Sequence, residues 1–108
     1  MARKKKGNRG PFAAVERALL KSDEWRDLTP MARLVMIEFV ASFNGSRLKV
    51  AYSDAPCNPR TFSRCIKELK REKWLELDQP GGLIGHKTSV YRLGHKGAKW
   101  WPEIYYAK

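Results

Sequence analysis

The sequence predicts an α+β domain, mainly helical, in which three helices carry a small antiparallel pair of strands. Two segments open on a polar cap followed by proline, Thr29-Pro30 and Asn58-Pro59, and continue with apolar residues at helical spacing. Two stretches rich in β-formers, Trp74–Leu77 and Thr88–Leu93, flank the turn residues Gln79-Pro80-Gly81-Gly82. The chain of 108 residues, 43% of them apolar, suits one domain with one modest core.

Residues 1–10 read as a flexible basic arm, too polar and glycine-containing to pack. The domain is expected over residues 11–95. Phe12, Val15, Ala18 and Leu19 follow helical spacing, and Ser22 caps a short turn through Trp25, with Asp23 and Glu24 at its positive end. Trp25 and Leu28 read as core anchors. The second helix starts at Thr29 and buries Ala32, Val35, Met36, Phe39, Val40 and Phe43, ending at Asn44-Gly45. Met31, Leu34, Ile37 and Ala41 lie outside that stripe, so this helix should be covered on more than one side, by core or by a second subunit.

Arg47-Leu48-Lys49-Val50 alternates like a half-buried strand, and residues 51–57 hold one helical turn at most. The next helix is capped by Asn58 and buries Phe62, Cys65, Ile66 and Leu69, with Cys57 and Phe62 spaced as a hydrophobic staple. It should end near Glu72–Lys73. Residues 96–108, with Trp100, Trp101, Ile104, Tyr105 and Tyr106, are too apolar for a free tail and should pack on the domain or on a partner.

The net charge of +11 is unevenly placed. Residues 1–10 carry +5, residues 11–57 balance to zero, and residues 58–108 carry +6. Such a distribution favours a polyanionic partner. Between Asn58 and Lys73 six basic residues face two acidic ones, whereas an ordinary solvated helix mixes signs for i,i+4 pairing. Cys57 and Cys65, if both helical, stand about 12 Å apart, beyond disulfide reach. Neither they nor His86 and His95 have zinc-finger spacing, and no catalytic arrangement or phosphate loop stands out. No enzyme, cofactor, metal or small-molecule substrate is expected. No apolar run reaches membrane length and Gly7-Asn8-Arg9-Gly10 interrupts any signal peptide, so a cytoplasmic protein is expected.

The order of elements, with Ser22-Asp23-Glu24-Trp25 leading to Leu28-Thr29-Pro30, and Asn58-Pro59-Arg60-Thr61-Phe62 leading through Glu68-Leu69 to Trp74-Leu75-Glu76-Leu77, resembles the winged helix-turn-helix domains of small bacterial, phage and plasmid regulatory or replication proteins. The resemblance covers about Phe12 to Leu93 and implies a recognition helix in the major groove of double-stranded DNA. Arg60, Thr61, Ser63 and Arg64 then become candidate base contacts, because an arginine there can fork onto guanine. Lys67, Lys70 and Arg71, with Lys87 and Arg92 around a wing at 79–87, become candidate backbone contacts. The arm residues Arg3, Lys4, Lys5, Lys6 and Arg9 are candidates for the minor groove or phosphates. One departure is visible: a fuller helix usually precedes the recognition helix, and here only Tyr52 to Ala55 is available.

The expected function is a DNA-binding transcriptional regulator of a bacterial or mobile genetic element. A replication initiator or excisionase-like architectural factor is the alternative within DNA binding, and a protein-interaction winged helix is the alternative outside it. RNA binding and homodimerisation stay open.

Overall fold

The computed structural model of the protein describes residues 15–43, 47–81 and 88–105. Among them the order is α1 (Arg17–Lys21), α2 (Asp23–Arg26), α3 (Pro30–Ala41), a 3-10 turn (Tyr52–Asp54), α4 (Pro59–Arg71), β1 (Leu75–Gln79), β2 (Val90–Leu93), α5 (His95–Trp100) and α6 (Pro102–Tyr105). The fold is α+β and mainly helical, with a two-stranded antiparallel sheet.

α3 sits at the centre. Thr29 caps it by accepting the Ala32 N–H, and Ala32, Val35, Met36, Phe39 and Val40 are buried along one stripe. Phe39 stacks on Phe62 of α4 with ring centroids 6.0 Å apart and meets Tyr91 of β2 edge-on at 5.2 Å. Met31 and Ile37 pack half-buried at the rim of this core, but Leu34 and Ala41 are exposed. The helix is thus covered on less of its circumference than its composition suggests. It stops at Ala41, earlier than the Asn44-Gly45 signal, which lies outside the described residues. The Ser42 hydroxyl intervenes, donating to the Phe39 carbonyl at 2.6 Å and accepting the Lys49 N–H at 3.1 Å.

Arg47–Val50 forms an isolated bridge to β2 and no full strand. Leu48 exchanges both backbone hydrogen bonds with Tyr91, at 3.1 and 2.8 Å, while the Lys49 N–H, which points away from β2, goes to Ser42. The alternation expected there holds: Leu48 and Val50 are buried, Arg47 and Lys49 exposed.

The first helix corrects the sequence reading. α1 is five residues long, and of its expected stripe Leu19 alone is buried, with Val15 and Ala18 exposed and Phe12 outside the described residues. A helix of little more than one turn presents one residue to a core. Ser22 then starts α2, donating to the Leu19 carbonyl at 2.8 Å and accepting the Trp25 N–H at 3.3 Å.

α4 ends in a Schellman motif. The Trp74 N–H reaches the Leu69 carbonyl at 2.9 Å, the Lys73 N–H reaches Lys70 at 3.1 Å, and Lys73 takes a φ of 70°. Trp74 therefore belongs to the cap and not to the strand. β1 and β2 pair with Leu75 opposite Leu93 and Leu77 opposite Tyr91, and the register shifts between Leu77 and Gln79.

The C-terminal segment joins the same core. Trp101 and Ile104 are buried, and the Trp25 ring lies edge-on to both Trp74, at 5.4 Å, and Trp101, at 6.4 Å. α5 begins against the α4–β1 turn. A Cβ on Gly94 would stand 2.3 Å from the Lys73 carbonyl oxygen, and one on Gly97 2.7 Å from that of Trp74, so both positions require glycine. Glu24 fastens the outside, accepting from Lys99 Nζ at 3.1 Å and Trp100 Nε1 at 3.3 Å. Among the described residues no helix is long and apolar enough to cross a membrane.

Candidate nucleic-acid interface

α4 gathers the charge identified in the sequence onto one face. Asn58 Oδ1 accepts the Thr61 N–H at 2.8 Å, Pro59 occupies the first helical position, and Phe62, Cys65, Ile66 and Leu69 are buried. At 100° per residue the opposite face carries Arg60, Arg64, Lys67 and Arg71, a stripe about 17 Å long. All four are exposed. Ser63 and Lys70 flank the stripe on one side, Thr61 and Glu68 on the other. Thr61 is half-buried on the α3 side, off the outer face.

The acids of α4 and its cap do little to neutralise the stripe. Glu68 turns to α3, where its two carboxylate oxygens accept the Thr29 N–H and hydroxyl, each at 2.8 Å. It thus caps a neighbouring helix and ties the two together. Glu72 pairs with Arg71 at 3.2 Å on the open surface, where such pairs stabilise little. Arg60, Arg64 and Lys67 form no ion pair or hydrogen bond with any described residue. Like charges three and four residues apart cost a helix a few tenths of a kcal/mol per pair.

The 3-10 turn supplies a neighbour that sequence reasoning missed. Tyr52 lays its ring edge-on against Phe62 at 5.3 Å, and its hydroxyl meets Ser63 Oγ at 3.0 Å. Tyr52, Pro59, Arg60, Ser63, Arg64 and Lys67 line an open groove along the first turns of α4. The available signal was an aromatic in a stretch too short to bury it, immediately before a capped basic helix.

Other candidates fall elsewhere. Arg92, expected at the DNA backbone, is held on the hairpin by Glu76 at 3.0 Å and Asp78 at 3.8 Å, and these neighbours keep its guanidinium more firmly protonated. Its charge is matched locally, because cross-strand register puts Arg92 opposite Glu76. Lys87 and the arm residues Arg3, Lys4, Lys5, Lys6 and Arg9 lie outside the described residues, as does His86. Lys70 is exposed on the flank of the stripe.

The groups whose protonation the fold perturbs are structural and lie off the stripe. Burial pushes the Cys65 thiol and the Tyr91 phenol up, and the Lys99 hydrogen bond, against some desolvation, pulls Glu24 down. A thiol raised this way favours its protonated form. Among the described residues no three His, Cys, Asp or Glu side chains converge as a metal site would need. No family model, curated protein or solved structure matches the chain.

Proposed function

We propose that this domain is a winged helix that binds double-stranded DNA, with α4 as its recognition helix and the β1–β2 hairpin as its wing. One observation carries the reading: Arg60, Arg64 and Lys67 stand on a single face of α4 with no ion pair to any described residue, while the helix's own Glu68 is committed to α3. A helix that concentrates like charge at a cost to itself is suited to a partner that supplies the opposite charge. Arg60 and Arg64, nearest the helix start, are the base readers, and Lys67 and Arg71 meet phosphate. The protein acts by binding and not by catalysis, in the cytoplasm, as a transcriptional regulator or as a replication or architectural factor of a mobile element.

The test is selection of bound duplexes from a random pool, followed by affinity measurements over a range of salt. A sequence motif and a salt slope of about −0.9 per phosphate contacted are expected. Equal affinity in the wild type and in an Arg60→Ala/Arg64→Ala variant at fixed salt would refute the recognition-helix assignment. Cooperative binding to adjacent sites with bending of the DNA would assign the architectural or replicative role over simple regulation.

A further inference from the structure

The groove beside the stripe has its own chemistry. Tyr52, Pro59, Arg60, Ser63, Arg64 and Lys67 line it. Among the described residues no carboxylate lines it. Tyr52 and Ser63 bring two hydroxyl protons to the hydrogen bond between them, and that bond uses one. Neither oxygen has another partner among the described residues, so one proton is left to donate. The position of this donor is set by the core, because the Tyr52 ring rests on Phe62, which is buried between Phe39 and the turn.

A spare hydroxyl donor beside cations that pair with no described residue complements a phosphodiester, whose free oxygens carry one negative charge and accept several hydrogen bonds. We propose that the Tyr52–Ser63 pair holds one backbone phosphate of the duplex, with Lys67 supplying the counter-charge, and that this contact fixes the angle at which α4 enters the groove. Tyr52 is then a positioning residue supplied by the abbreviated segment before α4. The inference rests on the DNA-binding reading and deepens it.

The experiment uses the full chain and a short duplex recovered from a random-pool selection. Tyr52→Phe deletes one oxygen and leaves the ring on Phe62. Affinity at fixed salt should fall roughly ten- to a hundredfold, the effect of one hydrogen bond to a charged group. The salt slope should not change, because no charge is removed, whereas Lys67→Ala should lower it by about 0.9. Ser63→Ala should reproduce the loss, and the double variant should lose little more than either alone. Replacing phosphates singly by neutral methylphosphonates should expose one linkage whose replacement harms the wild type more than Tyr52→Phe.

Wild-type affinity and an unchanged linkage profile in both hydroxyl variants, with binding still sensitive to Arg60→Ala/Arg64→Ala, would overturn the phosphate contact and leave DNA binding standing. A hydroxyl effect confined to RNA would overturn it as well. Absence of duplex binding by the wild type at low salt would overturn both. Thermal melts of each variant check folding, and Ser63→Ala carries the test alone if Tyr52→Phe unfolds.

Discussion

Helices α3 and α4 start with the same chemistry. Each has a cap residue in the β region, Thr29 or Asn58, whose side chain accepts an N–H three residues on, and each has proline next. They diverge after the first turn. α3 carries one basic and one acidic side chain, Arg33 and Glu38, and Arg33 spends its Nε–H on the Leu28 carbonyl at 3.1 Å. α4 carries five basic side chains and one acidic, and the acid serves α3. Identical starting signals thus lead to a helix that organises the core and a helix that presents charge. The side chains on the outer face make the difference.

Substitutions that affect one helix and spare the other would sharpen that contrast. The largest effect is expected from Phe39→Ala in α3, which removes a fully buried ring between Phe62 and Tyr91 and should cost about 3–5 kcal/mol in urea unfolding. Next come Arg60→Ala and Arg64→Ala, each expected to lower duplex affinity by about 1–3 kcal/mol while shifting stability by less than about 0.5 kcal/mol. Comparable losses of stability from these arginines would break the contrast. Glu68→Gln tests the link between the helices. Loss of its charge-assisted bonds to Thr29 should cost about 1 kcal/mol in unfolding, with a smaller, indirect effect on DNA affinity.

The smallest effect lies away from both helices. Glu24 has a folded pKa below its ordinary value of 4.5, chiefly because Lys99 donates to it. Its contribution is therefore complete above about pH 4.5 and is lost as pH falls through the lower, folded pKa. Glu24→Gln should cost no more than about 1 kcal/mol at pH 7 and should flatten the acid limb of the stability profile, seen as melting temperature against pH. An unchanged acid limb would remove Glu24 from the docking of α5.

Much of the central framework could be read in the residues themselves. Thr29-Pro30, Asn58-Pro59 and the two buried stripes are local signals, and α3 and α4 formed where they stand, while the alternation at Arg47–Val50 placed the buried residues but led to an isolated bridge and not to a strand. What stayed hidden depends on partners far along the chain. The Glu68 carboxylate finds Thr29 thirty-nine residues away, and the Lys99 ammonium finds Glu24 seventy-five residues away. α5 was not foreseen because Gly94 and Gly97 disfavour a helix locally, and it is the approach of the Lys73 and Trp74 carbonyls that requires them. On α4, the shared outer face of Arg60 and Arg64 could be read from spacing alone. The Arg92–Glu76 pair could not, because it forms across the sheet, nor could the Tyr52–Ser63 bond, because it depends on a turn folding back onto α4.

The indole cluster has an optical consequence. Trp25, Trp74 and Trp101 lie ring to ring and buried, and Trp100 reports on the same junction through Glu24. All four of the chain's tryptophans are thus gathered where the helical turns at the N-terminal side meet the C-terminal segment. None lines the groove beside Arg60 and Arg64. Intrinsic fluorescence therefore follows whether the two ends of the domain are locked together, and an extrinsic label near Tyr52 would be needed to see what arrives at α4.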